Sequence, residues 1–472
     1  MQPGSLRSAH PVSRGVELLN DMRDLFWRAL RVAAAAVLIL SSAAEAQTRS
    51  ISFIRDAEVE ATIRAFATPL FTAAGLDPEA IGVHLVNDRS LNAFVANGLN
   101  LYLNTGLLIR SENAGQVIGV IAHETGHIQG GHLVQMREQI DQATIPMLLE
   151  MLATMGAVGA GMRPSNPNDW GRSSMGGGGP TMTERMLLRY SRGMEHQADQ
   201  AGMALLERTG QSARGLLEFL EILGDQELVQ VGRQDPYVRT HPVTRERIEV
   251  MRTHVAKARA SDAPLPADFV ERHARMRAKL VGFLEPGRLA TIYKPADQSS
   301  EARYARAIAA YKRLEFASSD AQLEALIRER PRDPYLIETR AQFLLEQGKP
   351  EAARALYAQA AALAPREALI VQALGWAELQ SGVVKDAIAT LEKARRLRPG
   401  DADTWRLLAQ AYGRDGQIAM ADYAQAETFI LTGRRTEAVH FADRAMRGLP
   451  QGSPAWLRAQ DIKELAARRP AR

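Results

Sequence analysis

The sequence predicts an α+β, mostly α protein in two parts: a front part that mixes helices with a few strands, and an all-α tail of repeated helix pairs. Three observations predict it. The stretches Val83-His84-Leu85-Val86 and Leu99-Asn100-Leu101-Tyr102-Leu103 alternate or run apolar like strands, with Asn87-Asp88 and Asn97-Gly98 as turn signals. His123-Glu124-Thr125-Gly126-His127 follows the apolar residues Val117, Ile118, Val120 and Ile121, which suits a helix buried in a core. In the last third Pro331, Pro365 and Pro399 recur every 34 residues, and so do Gly348, Gly382 and Gly416.

At 472 residues the chain has room for two or three domains and a sizeable core. Its 58 basic and 54 acidic residues leave a net charge of +4, too balanced to signal a nucleic-acid partner. There is no cysteine, which excludes disulfides, thiolate metal sites and a lipidated N-terminal Cys. Residues 22–46 read as a secretory signal: Arg23, Arg28 and Arg31 precede the apolar run Val32 to Leu40, and Ala44-Glu45-Ala46 is a small-x-small cleavage site. Met22 is a natural start for such a signal. The expectation is therefore export from the cytoplasm, with cleavage after Ala46.

From Ser50 to about Ala74 the pattern is helical, carried by Ile54, Val59, Ile63, Phe66 and Leu70. The strands follow, then the H-E-x-x-H helix. Residues four apart on a helix lie about 40° apart in projection, so His123 and His127 can point two imidazoles at one metal ion with Glu124 beside it. Two His and one further protein ligand leave a coordination position for water, and a neighbouring carboxylate can take that water's proton during attack on a peptide carbonyl. Position 133 is Leu rather than the His that a metzincin requires, and His132 would lie about 140° round the helix from His127. Some 70 residues on, Glu195 and Asp199 are again one helical turn apart; Glu195 can be the third ligand, and Asp199 can orient a ligand His through its free ring nitrogen.

These motifs carry a resemblance. His123, Glu124, His127 and His132, then Glu195 and Asp199, then His241-Pro242-Val243-Thr244-Arg245-Glu246-Arg247-Ile248, resemble metallopeptidase family forty-eight, and within it the periplasmic proteases with a C-terminal tetratricopeptide-repeat domain. One departure is Gln197, where the family often has a second acid. The resemblance implies a zincin-like metallopeptidase fold and one zinc ion per chain held by His123, His127 and Glu195. It also implies Glu124 as general base and later proton donor, Asp199 behind the ligands, and a strand around Asn92-Ala93-Phe94 to whose edge a substrate can add. It further implies unfolded or stalled outer-membrane proteins as clients. The His matching His241 can occupy the metal's open position, as a regulatory plug; the residues equally allow His241 to cap or pack at the start of a helix running from Pro242 to Met251.

Ile145 to Met162 is apolar but holds Pro146, Glu150 and several glycines, and reads as a core helix, a membrane-touching hairpin or a mobile lid. The Gly176 to Gly179 run lacks phosphate-loop spacing and reads as a flexible linker. Ala260 to Pro266 reads as a domain linker. The expected organisation is a signal over 1–46, a zinc metallopeptidase domain over 47–260, a linker and connecting helix over 261–299, and a tetratricopeptide solenoid over 300–472. Its stacked helix pairs form a concave surface for a protein partner or client. The reading is a zinc endopeptidase in outer-membrane protein quality control or assembly. The rival is a chaperone or assembly adaptor that works through its repeats while the protease is normally shut.

Overall fold

The computed structural model describes residues 52–96, 98–135, 182–224 and 241–467, with only the backbone of 182–191. The expected signal (22–46), the 145–162 segment and the glycine run therefore lie outside the described residues. Phe53 to Arg472 form one compact unit.

Strand β1 (Phe53–Ile54) precedes helix α1 (Ala57–Ala73). The helix expected from Ser50 thus begins later. Phe53 and Ile54 pair with Val86 and Leu85, and Asp56 accepts the Val59 amide as the N-cap, which fixes the first turn. Strands β2 (Gly82–Val86), β3 (Ala93–Ala96) and β4 (Asn100–Asn104) complete a sheet of order β1-β2-β4-β3. β2 runs parallel to β4, and β3 pairs antiparallel with β4 at the sheet's edge. Leu85, Leu101 and Leu103 join a core with Ile63, Phe66 and Leu70 of α1. His84, on the other face, is an ordinary strand residue whose ring bonds to Asn100.

Helices α2 (Thr105–Arg110) and α3 (Ala114–Gln129) follow, then α4 (Met182–Arg208), α5 (Arg214–Gly224) and α6 (Arg245–Val255). α3 is buried from Ala114 to His127, with Gly119 against Leu216 of α5 and Gly126 against Ala198 of α4. Glycine is what permits these approaches. Among the described residues no helix is long and apolar enough to cross a membrane.

The stretch 261–299 contains α7 (Ala267–Leu284), whose Met276, Leu280 and Val281 are fully or almost fully buried in the same core as the sheet. The repeats follow as pairs: α8 (Ser300–Lys312) and α9 (Phe316–Glu329), α10 (Pro334–Glu346) and α11 (Pro350–Leu363), α12 (Ala368–Gln380) and α13 (Val384–Leu397), α14 (Ala402–Arg414) and α15 (Ile418–Leu431). Gly348, Gly382 and Gly416 end the first helices of successive pairs with φ of +74°, +75° and +78°, the left-handed turn that glycine adopts without strain. The weaker unit expected over 300–331 is present. The closing helix expected from Gly433 to Leu449 is α16 (Arg435–Gly448), but one more, α17 (Pro454–Ala467), lies beyond it.

The start of α1 packs on the ends of the repeat helices α10 to α13. Ala57 packs with Ile337, Ala360, Ile370 and Ala394; Arg55 pairs with Asp401 at 2.7 Å and Glu60 with Arg398 at 2.9 Å. Beside it Lys279 of α7, only 1% exposed, lies 2.9 Å from Asp56, 3.6 Å from Glu58 and 3.4 Å from Glu338. Arg275 pairs with Glu58 and Asp333. A buried ionic network of this kind is costly to leave half-made, so the front part and the repeats are locked together.

Candidate metal centre

Three elements bring the site together. α3 supplies His123 and His127, α4 supplies Glu195 and Asp199, and the segment leading into α6 supplies His241. Each of these side chains is buried, with His123 and Glu124 at 0% exposure. His241 lies outside α6, whose cap is Thr244: its hydroxyl accepts the Arg247 amide at 3.3 Å. The helix expected from Pro242 therefore starts at Arg245, and His241 is not its cap.

His123, His127, Glu195 and His241 each offer a ligand atom within 4.8 Å of the others. The two Nε2 atoms of His123 and His127 are 3.1 Å apart. Glu195 places Oε2 at 3.3 Å from His123 Nε2 and Oε1 at 3.3 Å from His127 Nε2. A tetrahedral ion with bonds of about 2.0–2.1 Å separates its donors by about 3.3 Å, so these side chains are spaced for one. The donor set of imidazole nitrogen and carboxylate oxygen fits zinc chemistry. Both Glu124 oxygens are buried without a hydrogen-bond partner among the described residues, which a group reserved for an absent ligand would show. His241 Nδ1 is 3.0 Å from Glu195 Oε1, and its Nε2 is 3.6 Å from Glu124 Oε1.

The electrostatics follow from burial and from the carboxylates. Burial opposes charge on His123, but hydrogen bonds and charge from Asp199 and Glu195 outweigh it and raise the imidazole to about 10. His127 is lowered to about 3, chiefly by burial and then by the neighbouring charges of His123 and His241. Burial pushes Glu124 up, partly offset by His241 and His123. Burial would also raise Glu195, yet His241 and the hydrogen bonds of His123 and His127 hold it well below the usual carboxylate range.

Asp199 Oδ1 accepts from His123 Nδ1 at 2.9 Å, so Nε2 is the His123 nitrogen that faces His127 and Glu195. Two features had no assigned role. α3 ends at Gln129, so His132 lies beyond the helix and folds back, with Nδ1 at 3.0 Å from His127 Nδ1 and Nε2 at 3.1 Å from Gln197 Oε1. Arg247, 5% exposed, pairs with both Asp199 and Glu195. The H-P-V-T-R-E-R stretch contained Arg247, but nothing in it separates the buried arginine from exposed Arg245.

Residues 54–255 match peptidase family M48, and residues 344–412 match a tetratricopeptide-repeat family. The chain is 25% identical over 382 residues to a beta-barrel assembly-enhancing protease of Yersinia pestis, across 78% of this chain and 75% of the relative. It is 26% identical over 383 residues to the beta-barrel assembly-enhancing protease of Escherichia coli (strain K12), with the same coverage. A shorter likeness, 24% over 177 residues, joins it to the metalloprotease YcaL of the same organism, across 38% of this chain and 62% of that protein. The paired histidines and the glutamate gather inside the matched region, so the chain carries a metalloprotease domain of the peptidase family M48 type over residues 54–255 and tetratricopeptide repeats after it.

Proposed function

We propose that this protein is a zinc-dependent endopeptidase of the periplasm that acts on outer-membrane β-barrel proteins whose assembly has stalled. The observation that carries the reading is the buried Glu124 carboxylate, without a hydrogen bond among the described residues, beside a spaced set of two imidazoles and a carboxylate. His123, His127 and Glu195 would hold the ion, with Asp199 fixing the His123 tautomer. When bound, zinc supplies a Lewis acid for the peptide carbonyl and lowers the pKa of water in its open position. Glu124 then takes the proton of the attacking water and returns it to the leaving amine. Its burial raises its affinity for that proton, which suits both steps. β3 is one of the sheet's two outer strands, so an extended client segment can pair along it. The printed name of the relatives supports β-barrel clients, and the signal read over residues 22–46 supports the periplasm.

The position of His241 favours a second reading that combines with the first. An imidazole among the ligand atoms makes a closed four-ligand site, so the resting enzyme is shut and the repeats engage a partner or client while it stays so. The test is to incubate the purified protein with an unfolded outer-membrane β-barrel protein, with and without chelator. Cleavage that chelator abolishes and added zinc restores supports the proposal; cleavage indifferent to chelator defeats it.

A further inference from the structure

Glu195 and Asp199 put two carboxylates one helical turn apart, each 2% exposed. Two like charges side by side in a buried site are unfavourable unless a cation sits between them. Arg247 is that cation, and its contacts are unusually complete. Nε donates to Asp199 Oδ2 at 2.6 Å and Nη2 to Asp199 Oδ1 at 2.8 Å, a two-pronged fork. Nη1 donates to the Pro242 carbonyl at 2.8 Å and stands 2.8 Å from Glu195 Oε2. Asp199 Oδ1, held by that fork, is the atom that accepts from His123 Nδ1. Pro242 is the residue next to His241. One guanidinium therefore touches the carboxylate behind one metal ligand, a second metal ligand directly, and the backbone that presents a third candidate.

We propose that Arg247 is the positioning residue of this site. It fixes Asp199 and Glu195 so that His123 and Glu195 aim their donor atoms at one ion, and through the Pro242 carbonyl it ties His241 to the same frame. The proposal rests on the metal-site reading above. Lysine cannot replace it: an ammonium is a point charge, unable to grip Asp199 with two parallel bonds while reaching Pro242 and Glu195. Residues that orient metal ligands in this way typically govern metal affinity by about 10- to 100-fold.

The experiment measures zinc affinity by competition with a chromogenic chelator, well below the melting temperature. It compares the parent full-length chain, Arg247→Lys, Asp199→Asn and the double variant. Arg247→Lys is expected to weaken zinc binding by about 10- to 100-fold. Because part of Arg247's effect runs through Asp199 and its contact with His123, the losses of the two single variants should fail to multiply fully in the double. Parent-like zinc affinity in Arg247→Lys, or losses that multiply fully, overturns the proposal. A drop in melting temperature without a change in zinc affinity also overturns it, by making Arg247 merely structural. Should Arg247→Lys not fold, Arg247→Gln is read by the same criteria. If the parent itself binds no zinc, the metal-site reading falls and this proposal with it, an outcome distinct from equal binding by parent and variant.

Discussion

Replacing Gly126 by alanine tests whether the spacing between α3 and α4 sets the site. A Cβ built on Gly126 would lie 2.6 Å from the Ala198 carbonyl oxygen, 3.0 Å from its Cα and 3.2 Å from its carbonyl carbon. Unstrained contacts of this kind need about 3.5 Å, so the helices must part by roughly 0.5–0.9 Å where they cross. Ala198 stands between Glu195 and Asp199, so the movement carries both carboxylates away from His123 and His127. Metal–ligand distances tolerate only about 0.2 Å. Overpacking costs about 1–3 kcal/mol, of which alanine's better helix propensity returns up to about 1 kcal/mol. Gly126→Ala should thus fold, with a modest loss of stability. Its activity should fall by about 100-fold, the scale set by ångström misplacement of reacting groups, and its zinc affinity should fall as well. Peptide hydrolysis, chelator competition and thermal unfolding together check this. A Gly126→Ala protein that keeps parental activity and zinc affinity would refute the reasoning.

Three further outcomes follow from the same geometry. His241→Ala should raise basal peptide hydrolysis with bound zinc retained, since His123, His127 and Glu195 remain; activity and zinc lost together in a metal assay would make His241 an essential ligand or structural. Deleting residues 300–472 should do more than remove a binding surface, because it strips Glu338, Asp333 and Tyr304 from buried Lys279, Arg275 and Glu58. Lys279 keeps Asp56 and Glu58, and Arg275 keeps Glu58, so the network is cut rather than abolished. Removing a partner from a buried ionic group costs up to about 3–5 kcal/mol, so circular dichroism of the remainder should show a lowered melting temperature, and a parent-like melt would contradict the network's importance. Burial, only partly offset by Lys279, lifts the Glu338 carboxyl from 4.5 to about 7, so between those pH values the folded chain holds a proton that the unfolded chain releases. Stability from this group is full below about pH 4.5 and declines as pH rises to about 7; Glu338→Gln should flatten that slope in thermal melts, and an unchanged slope would assign it elsewhere.

Local and periodic features were legible in the sequence. The four-residue spacing placed His123 and His127 on one helix face, Glu195 and Asp199 announced themselves by the same spacing, and the 34-residue rhythm of proline and glycine marked the repeats. Contacts between elements distant in the chain were not legible. Lys279 sits on a helix with Arg272 and Arg275, in a pattern that reads as a solvated charged face, until acids from α1 and α10 meet it. Gly126 is a variable position of H-E-x-x-H, and only the approach of Ala198 shows why a side chain there matters. Arg247 required the fold to bring α6 onto α4. β1 was hidden because two residues are too few to show alternation, and its partner β2 lies about 30 residues away.

The central claim is that Glu124 performs proton transfer at a metal site it does not build. The most direct measurement is zinc content and peptide turnover on the same preparation of Glu124→Gln. Glu124 oxygens accept no hydrogen bond among the described residues, so the amide should fit with little disturbance. One zinc per chain is expected, as in the parent, with turnover lowered by about 100- to 10,000-fold, the range of general acid–base catalysis. Parental turnover by Glu124→Gln with zinc bound would contradict it.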